Sequence, residues 1–253
     1  MAEPLSILYQ DETLIAVDKP SGLLVHRSWI DKEATRFALQ EVRDMTGRYV
    51  HPVHRLDKPT SGVLLFAFDK EAARRLGEAF AAGRVKKRYH AVVRGHVKNG
   101  GRIDYPLKEI LDKMTDAKAR ADKAAQPAVT LYRPLGHLTL PIPVSRYPEA
   151  RYTLLELLPE TGRKHQLRRH MKHIFHPIVG DTKYGRTEHN RLFRDHFDSH
   201  RLLLHAATMT LEHPKGGRLL SIEAPWPEDF GKIARLFGTI SPKSKEGACN
   251  RFT

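Results

Sequence analysis

The chain has 253 residues, of which 40% are hydrophobic, enough for a sizeable core in one large domain or two small ones. Its single cysteine, Cys249, excludes an internal disulfide and a multi-cysteine metal site. Lys and Arg outnumber Asp and Glu by 43 to 29, a net charge of +14, which points to a polyanionic partner, most simply RNA or DNA.

No apolar run approaches the roughly 18 residues of a membrane span, and the N-terminus lacks a basic-then-apolar signal. A soluble protein with the cytoplasm as its default address is therefore expected. Ile7-Leu8-Tyr9 and Leu14-Ile15-Ala16-Val17 flank the polar turn Gln10–Thr13 and read as a hairpin. Asp18-Lys19-Pro20-Ser21-Gly22 ends it, and Leu23–His26 reads as a further short strand. Helical spacing of Ala34, Phe37, Ala38, Val42 and Met45 predicts a helix over Lys32–Met45, stopped at Gly47.

The next stretch, His54-Arg55-Leu56-Asp57-Lys58-Pro59-Thr60-Ser61-Gly62, precedes the unbroken apolar run Val63–Phe68. Such a run reads as a strand buried on both faces, and Pro59 with Gly62 makes the preceding stretch a loop. Asp57 then stands at the mouth of a core strand, beside Arg55 and Lys58. It could serve there as a turn cap or as a reactive carboxylate. A kinase catalytic loop is a poor match, since Leu56 separates Arg55 from Asp57, no metal-binding Asn follows, and there is no glycine-rich phosphate loop. A serine hydrolase built from His54, Asp57 and Ser61 lacks its elbow motif.

Asp69 is placed to cap a helix through Ala72, Ala73, Leu76, Ala79 and Phe80, closed by Gly83. Lys86–Gly95 reads as a strand entered through three cations, with Tyr89, Ala91 and Val93 on one face. Tyr89 is either a core aromatic or a stacking platform for a base. Asp112–Gln126 is a polar, charge-mixed insertion. The prolines from Pro127 to Pro148 predict short strands near Val129–Tyr132 and Leu138–Leu140.

Arg151–Leu158 reads as a strand, and Thr161 as the start of a helix docking Leu167, Met171 and Ile174 while Lys164, Arg168 and Lys172 face outward. His165, His170, His173 and His176 have no metalloprotease spacing and no neighbouring cysteines, so solvated or RNA-facing rings are expected. Leu202–Leu211 and Leu219–Ile222 read as strands, Ile233, Leu236 and Phe237 as part of a short helix, and the chain from about Ser241 as a disordered tail. No internal repeat is visible.

His54-Arg55-Leu56-Asp57-x-x-Thr60-Ser61-Gly62 resembles the active-site signature of the RluA-type pseudouridine synthases. The resemblance continues through Lys87–Ala91, Thr161–Arg168, His176–Asp181 and Arg201–Ala206. It implies an α+β fold with a central, mainly antiparallel mixed sheet, flanked by helices and loops and crossed by an active-site cleft. One catalytic domain over residues 1–240 is expected, without the N-terminal S4 domain of some members. His26–Trp29, the Asp-Lys-rich insertion and Arg146-Tyr147-Pro148 are similar to the subgroup that acts on tRNA at position 65. Ribosomal RNA is the alternative substrate, and a non-catalytic RNA-binding protein or chaperone is the alternative of another class.

The implied reaction turns a uridine into its C5-linked isomer with no cofactor or metal. By resemblance Asp57 is the essential carboxylate, Arg168 its ion-pair partner and Tyr89 the residue that stacks on the target base. Arg55 fills the vacated space, and Lys86, Lys87, Arg163 and Lys164 contact phosphates. The expected partner is RNA, with no membrane and no obligate protein partner, and a monomer is expected.

Overall fold

In the computed structural model the described residues are 5–26, 35–109 and 124–237. Ten strands form one sheet. In chain order they are β1 (Ser6–Gln10), β2 (Leu14–Lys19), β3 (His51–Pro52), β4 (Ser61–Ala67), β5 (Lys86–Arg94), β6 (Gly101–Asp104), β7 (Val129–Leu140), β8 (Ala150–Pro159), β9 (Leu204–Glu212) and β10 (Leu219–Glu223). The helices are α1 (Ala38–Thr46), α2 (Lys70–Ala81), α3 (Gln166–His173), α4 (Thr187–Phe197) and α5 (Glu228–Ala234), the last running into a 3₁₀ turn, Arg235–Phe237. None of these helices is long and apolar enough to cross a membrane.

The main path through the sheet is β1-β2-β4-β9-β5-β8-β7-β6, with β3 against β4 and β10 against β9. All ladders are antiparallel except the short parallel one between β4 and β9, which pairs Ser61 with His205 and Gly62 with Ala206. The fold is thus the mixed α+β arrangement expected.

The apolar run of β4 has a simple cause. Its alternate residues serve two cores: Leu64 and Phe66 pack with Ile15, Val17, Ala38 and Val42 on one face, and Val63, Leu65 and Ala67 pack with Leu14, Ala16, Ala72 and Leu76 on the other. Farther along the sheet, Ala91, Val93, Leu155 and Leu157 pack with Leu167 and Met171 of α3, while Val92, Tyr152 and Leu154 pack with Phe193 and Phe230 of α4 and α5. Leu204 and Ala206, two residues apart on β9, join the first core to the α3 core on one face. Tyr89 packs against both.

Several local expectations need correction. Leu23–His26 is not a strand, because Leu24 makes only an isolated bridge to Phe37. The first helix begins at Ala38 and ends at Gly47 in the left-handed conformation, so 35–37 do not belong to it, and the earlier part of the predicted span, 32–34, lies outside the described residues. β7 is one twelve-residue strand and not two short ones. Pro134 is tolerated because β6 pairs only with Val129–Tyr132, leaving β7 an edge beyond that point, and the register slips between Pro134 and Gly136.

α3 starts at Gln166 and not at Thr161. The Gln166 side chain holds the preceding turn, accepting from the Thr161 hydroxyl and the Arg163 N–H. α4 and β6 were not anticipated. The similarities at Arg27-Ser28-Trp29, the insertion up to residue 123 and the tail from Ser241 lie outside the described residues.

Candidate active site

A cavity of about 590 Å³ opens on the face where Tyr89 joins the two cores. Its walls come from the Val53–Asp57 loop with Thr60, the end of α2, Lys87 and Tyr89 on β5, the Pro159–Arg163 turn, the first turn of α3, and Leu204. Asp57, Tyr89, Arg168, Arg55, Lys87 and Arg163 all line it. Lys86 and Lys164 do not. Alternation along β5 turns Lys86 away from the face that carries Lys87 and Tyr89.

The loop bearing Asp57 is fastened through its backbone. Asp57 C=O accepts from Thr60 N–H, and Lys58 C=O accepts from Gly22 N–H and from Lys19 Nζ at 3.0 Å. Pro59 C=O accepts from the Ser21 hydroxyl at 2.8 Å. Lys19 is fully buried and also donates to the carbonyls of Pro20 and Leu23. Burial, reinforced by nearby Arg201, pulls its pKa down to about 7 against the opposing charges of Asp57 and Asp18. Behind the loop, Ser61 Oγ accepts from Arg201 and donates to His205 Nδ1.

The Asp57 carboxylate is therefore free of the turn-capping role. Its Oδ2 accepts from Arg168 Nη1 at 3.1 Å, and its side chain remains 26% exposed toward the cavity. Arg168 is not on the outward flank of α3, as its spacing suggested. It is buried, and its Nε and Nη2 donate to Asp181 at 2.7 and 2.9 Å.

Asp181 is in turn fixed by the Lys183 and Tyr184 N–H groups. Burial would raise the Asp181 pKa, but the hydrogen bonds and charge of Arg168, with those two amides, hold it below the usual carboxylate range. A guanidinium with all three nitrogens committed to two carboxylates is a rigid point of positive charge at the cavity wall.

Tyr89 stands across from this pair. Burial, and then the charge of Asp57, push its phenol well above the usual range, so the ring is neutral. Lys87 is half-buried, and its pKa is lowered by desolvation. His54 accepts from Leu65 N–H through Nε2 at 3.0 Å and stacks on Phe80. Its pKa falls to about 3, by burial and then by the charge of Lys87.

The histidines meet the expectation of solvated or RNA-facing rings only in part, since His173 is exposed and His165 faces the cavity but His170 is buried. His170 is buried against Thr130 and the Tyr105 carbonyl, His173 stacks on Tyr105, and His176 donates to the Arg94 carbonyl. His165 lines the cavity. Asp181 entered the sequence reading only as the end of the His176–Asp181 resemblance, with no role assigned. The signal that could have found it is the rule that a buried arginine requires a carboxylate.

Residues 13–173 match the family described as RNA pseudouridylate synthase. The chain belongs to that family. It is 53% identical over 234 residues to a Pectobacterium carotovorum protein named tRNA pseudouridine synthase C, covering 92% of this chain and 62% of that protein. It is 52% identical over 234 residues to the Vibrio cholerae protein of the same name, covering 92% of this chain and 96% of the relative. Among solved structures, it superposes on human RNA pseudouridylate synthase domain containing 4 with a TM-score of 0.66 and 29% identity, covering 91% and 92% of the two chains. The corresponding domain-containing 1 protein gives 0.66 and 27%, covering 88% and 84%. As a pseudouridine synthase, the chain is assigned to the isomerases.

Proposed function

We propose that this synthase acts on tRNA, converting a single T-stem uridine at position 65, with residues up to about 240 forming one catalytic domain. The observation that carries the reading is the Asp57 carboxylate on a cavity wall, hydrogen-bonded at 3.1 Å by a guanidinium whose other edge is clamped by buried Asp181. The names borne by the relatives support tRNA as the substrate. The net charge of +14 supports a polyanion.

The target uridine leaves its helix for the cavity, an unstacking that costs a few kcal/mol. A volume of about 590 Å³ suits a nucleotide. Tyr89 stacks on the base, and exposed Arg55 fills the space it leaves. Lys87 and Arg163 at the cavity, with Lys86 and Lys164 outside it, contact phosphates and so position the RNA without reading its sequence.

The C1′–N1 bond then breaks, the uracil turns, and C5 bonds to C1′. C5 loses its proton and N1 gains one, so atoms balance with no oxidant, reductant or net water. Asp57 is the essential carboxylate, and Arg168 supplies its counter-charge once RNA excludes water.

Pseudouridine mapping of unmodified tRNA and ribosomal RNA, after incubation with wild-type protein and with Asp57→Asn, tests the reading. One new T-stem site, absent with the variant, is expected. A ribosomal site would discard tRNA as the substrate, and a site made equally by Asp57→Asn would discard the role of Asp57.

A further inference from the structure

His165 occupies an unusual position for its residue type. It immediately precedes α3 with φ 56°, in the left-handed region, and makes no side-chain cap to the helix. Histidine is among the residues that adopt this backbone, and here its ring makes no hydrogen bond to the first turn of the helix. What the strained conformation provides is aim. Nε2 stands 3.8 Å from Asp57 Oδ1, and Nδ1 stands 2.9 Å from the Tyr184 hydroxyl.

At 3.8 Å the ring and Asp57 are near neighbours without being hydrogen-bonded, so Nε2 remains available to a ligand. A lone pair on Nε2 would be repelled by the carboxylate, whereas Nε2–H is attracted to it. That sets the tautomer, with Tyr184 O–H donating to Nδ1. Burial, opposed by the charge of Asp57, lowers the His165 pKa, so the ring is neutral near pH 7. Three of the five Arg168 N–H groups are engaged with Asp181 and Asp57, which holds its guanidinium against those carboxylates.

We infer that His165 is a further catalytic residue, whose Nε2–H donates a hydrogen bond to the uracil while it is detached and negatively charged. The inference rests on the proposed function. When C1′–N1 breaks, the bonding pair leaves with the base, and charge spreads over N1, O2 and O4 until C5 bonds to C1′. A fixed donor in a site closed by RNA strengthens as that charge develops. His165 transfers no proton to completion, so the reaction stays balanced as written above.

The test is single-turnover isomerisation of a tRNA substrate at saturating protein, with RNA affinity measured separately. His165→Leu, which lacks the donor, is expected to slow the chemical step by about 10² to 10³ while changing Kd by less than about threefold. His165→Gln, whose amide reaches toward the Nε2 position, should recover about tenfold of that loss, and the shorter His165→Asn should not.

A His165→Leu rate within about threefold of wild type, or a loss confined to affinity, overturns the inference. Equal rates for the Gln and Asn variants also overturn it, and that comparison stands even if the Leu variant does not fold. Asp57→Asn run in parallel separates the two readings. An active Asp57→Asn protein defeats the proposed function itself, whereas an inert one beside an active His165→Leu defeats only this inference.

Discussion

Replacing Asp181 with Asn keeps the side chain's shape and its acceptor for the Lys183 and Tyr184 amides, but sets an NH₂ group or an uncharged oxygen against Arg168. Asp181 has no exposed side-chain surface, and Arg168 only 7%. Removing one partner of such a pair costs about 3–5 kcal/mol, because the other charge stays buried. Arg168 retains Asp57 at 3.1 Å, so the lower end, about 3 kcal/mol, applies.

For a chain of this size each kcal/mol shifts Tm by about 2–4 °C, so thermal unfolding at pH 7 should drop by about 6–12 °C. The pH dependence carries a sign. Since the folded carboxyl is held below its unfolded value, the stabilisation is complete above about pH 4 and is lost as pH falls through the depressed value. Wild type and variant should therefore converge in acid. A Tm loss under about 2 °C at pH 7, or a gap in urea-unfolding free energy that stays constant down to about pH 3, would refute the reasoning.

Tyr89, whose phenol is raised by burial and then by Asp57, binds its proton more tightly folded than unfolded. Stability should thus be full below about pH 10 and fall above it, and Tyr89→Phe should flatten that decline in an alkaline melt series. Lys19→Met leaves the carbonyls of Pro20 and Leu23 without the Nζ donor and that of Lys58 with Gly22 N–H alone. A stability loss of about 2–4 kcal/mol is expected in urea unfolding, with a lower kcat because the Asp57 loop is loosened. Gly62→Ala should prevent proper folding, since φ is 112° and a Cβ would land on the Ala206 carbonyl. Gly77→Ala, in the open surface of α2, should instead raise stability by about 0.5–1 kcal/mol, and thermal melts distinguish the two.

Features of the sequence that obey one local rule were legible. The apolar run of β4, the Asp69 cap that accepts from Ala72 N–H, and the alternation of Tyr89, Ala91 and Val93 all appear in the structure. What escaped depends on partners far along the chain. Pro134 resembles a strand breaker until β6 is seen to leave that part of β7 as an edge. Arg168 reads as a surface cation until Asp181, thirteen residues later, is placed beneath it.

α4 offered little periodicity because only Leu192 and Phe193 are fully buried on an otherwise charged helix. The motifs did single out Asp57, Tyr89 and Arg168, which the fold brings to one cavity. The orientation of His165 was not legible, because histidine adopts the left-handed backbone only at a minority of positions and no neighbouring residue marks this one.

β9 lies between β4 and β5, and its parallel contact with β4 joins residues 144 positions apart. The family match ends at residue 173, before this strand begins. During synthesis, then, the Asp57 loop and the Arg168 helix are made before β9, the strand that joins the two halves of the sheet on which they stand. Long-range pairings of this kind form late and slowly. The Asp57–Arg168 ion pair thus spans two halves of the sheet that β9, ending at Glu212, is the last of these strands to join.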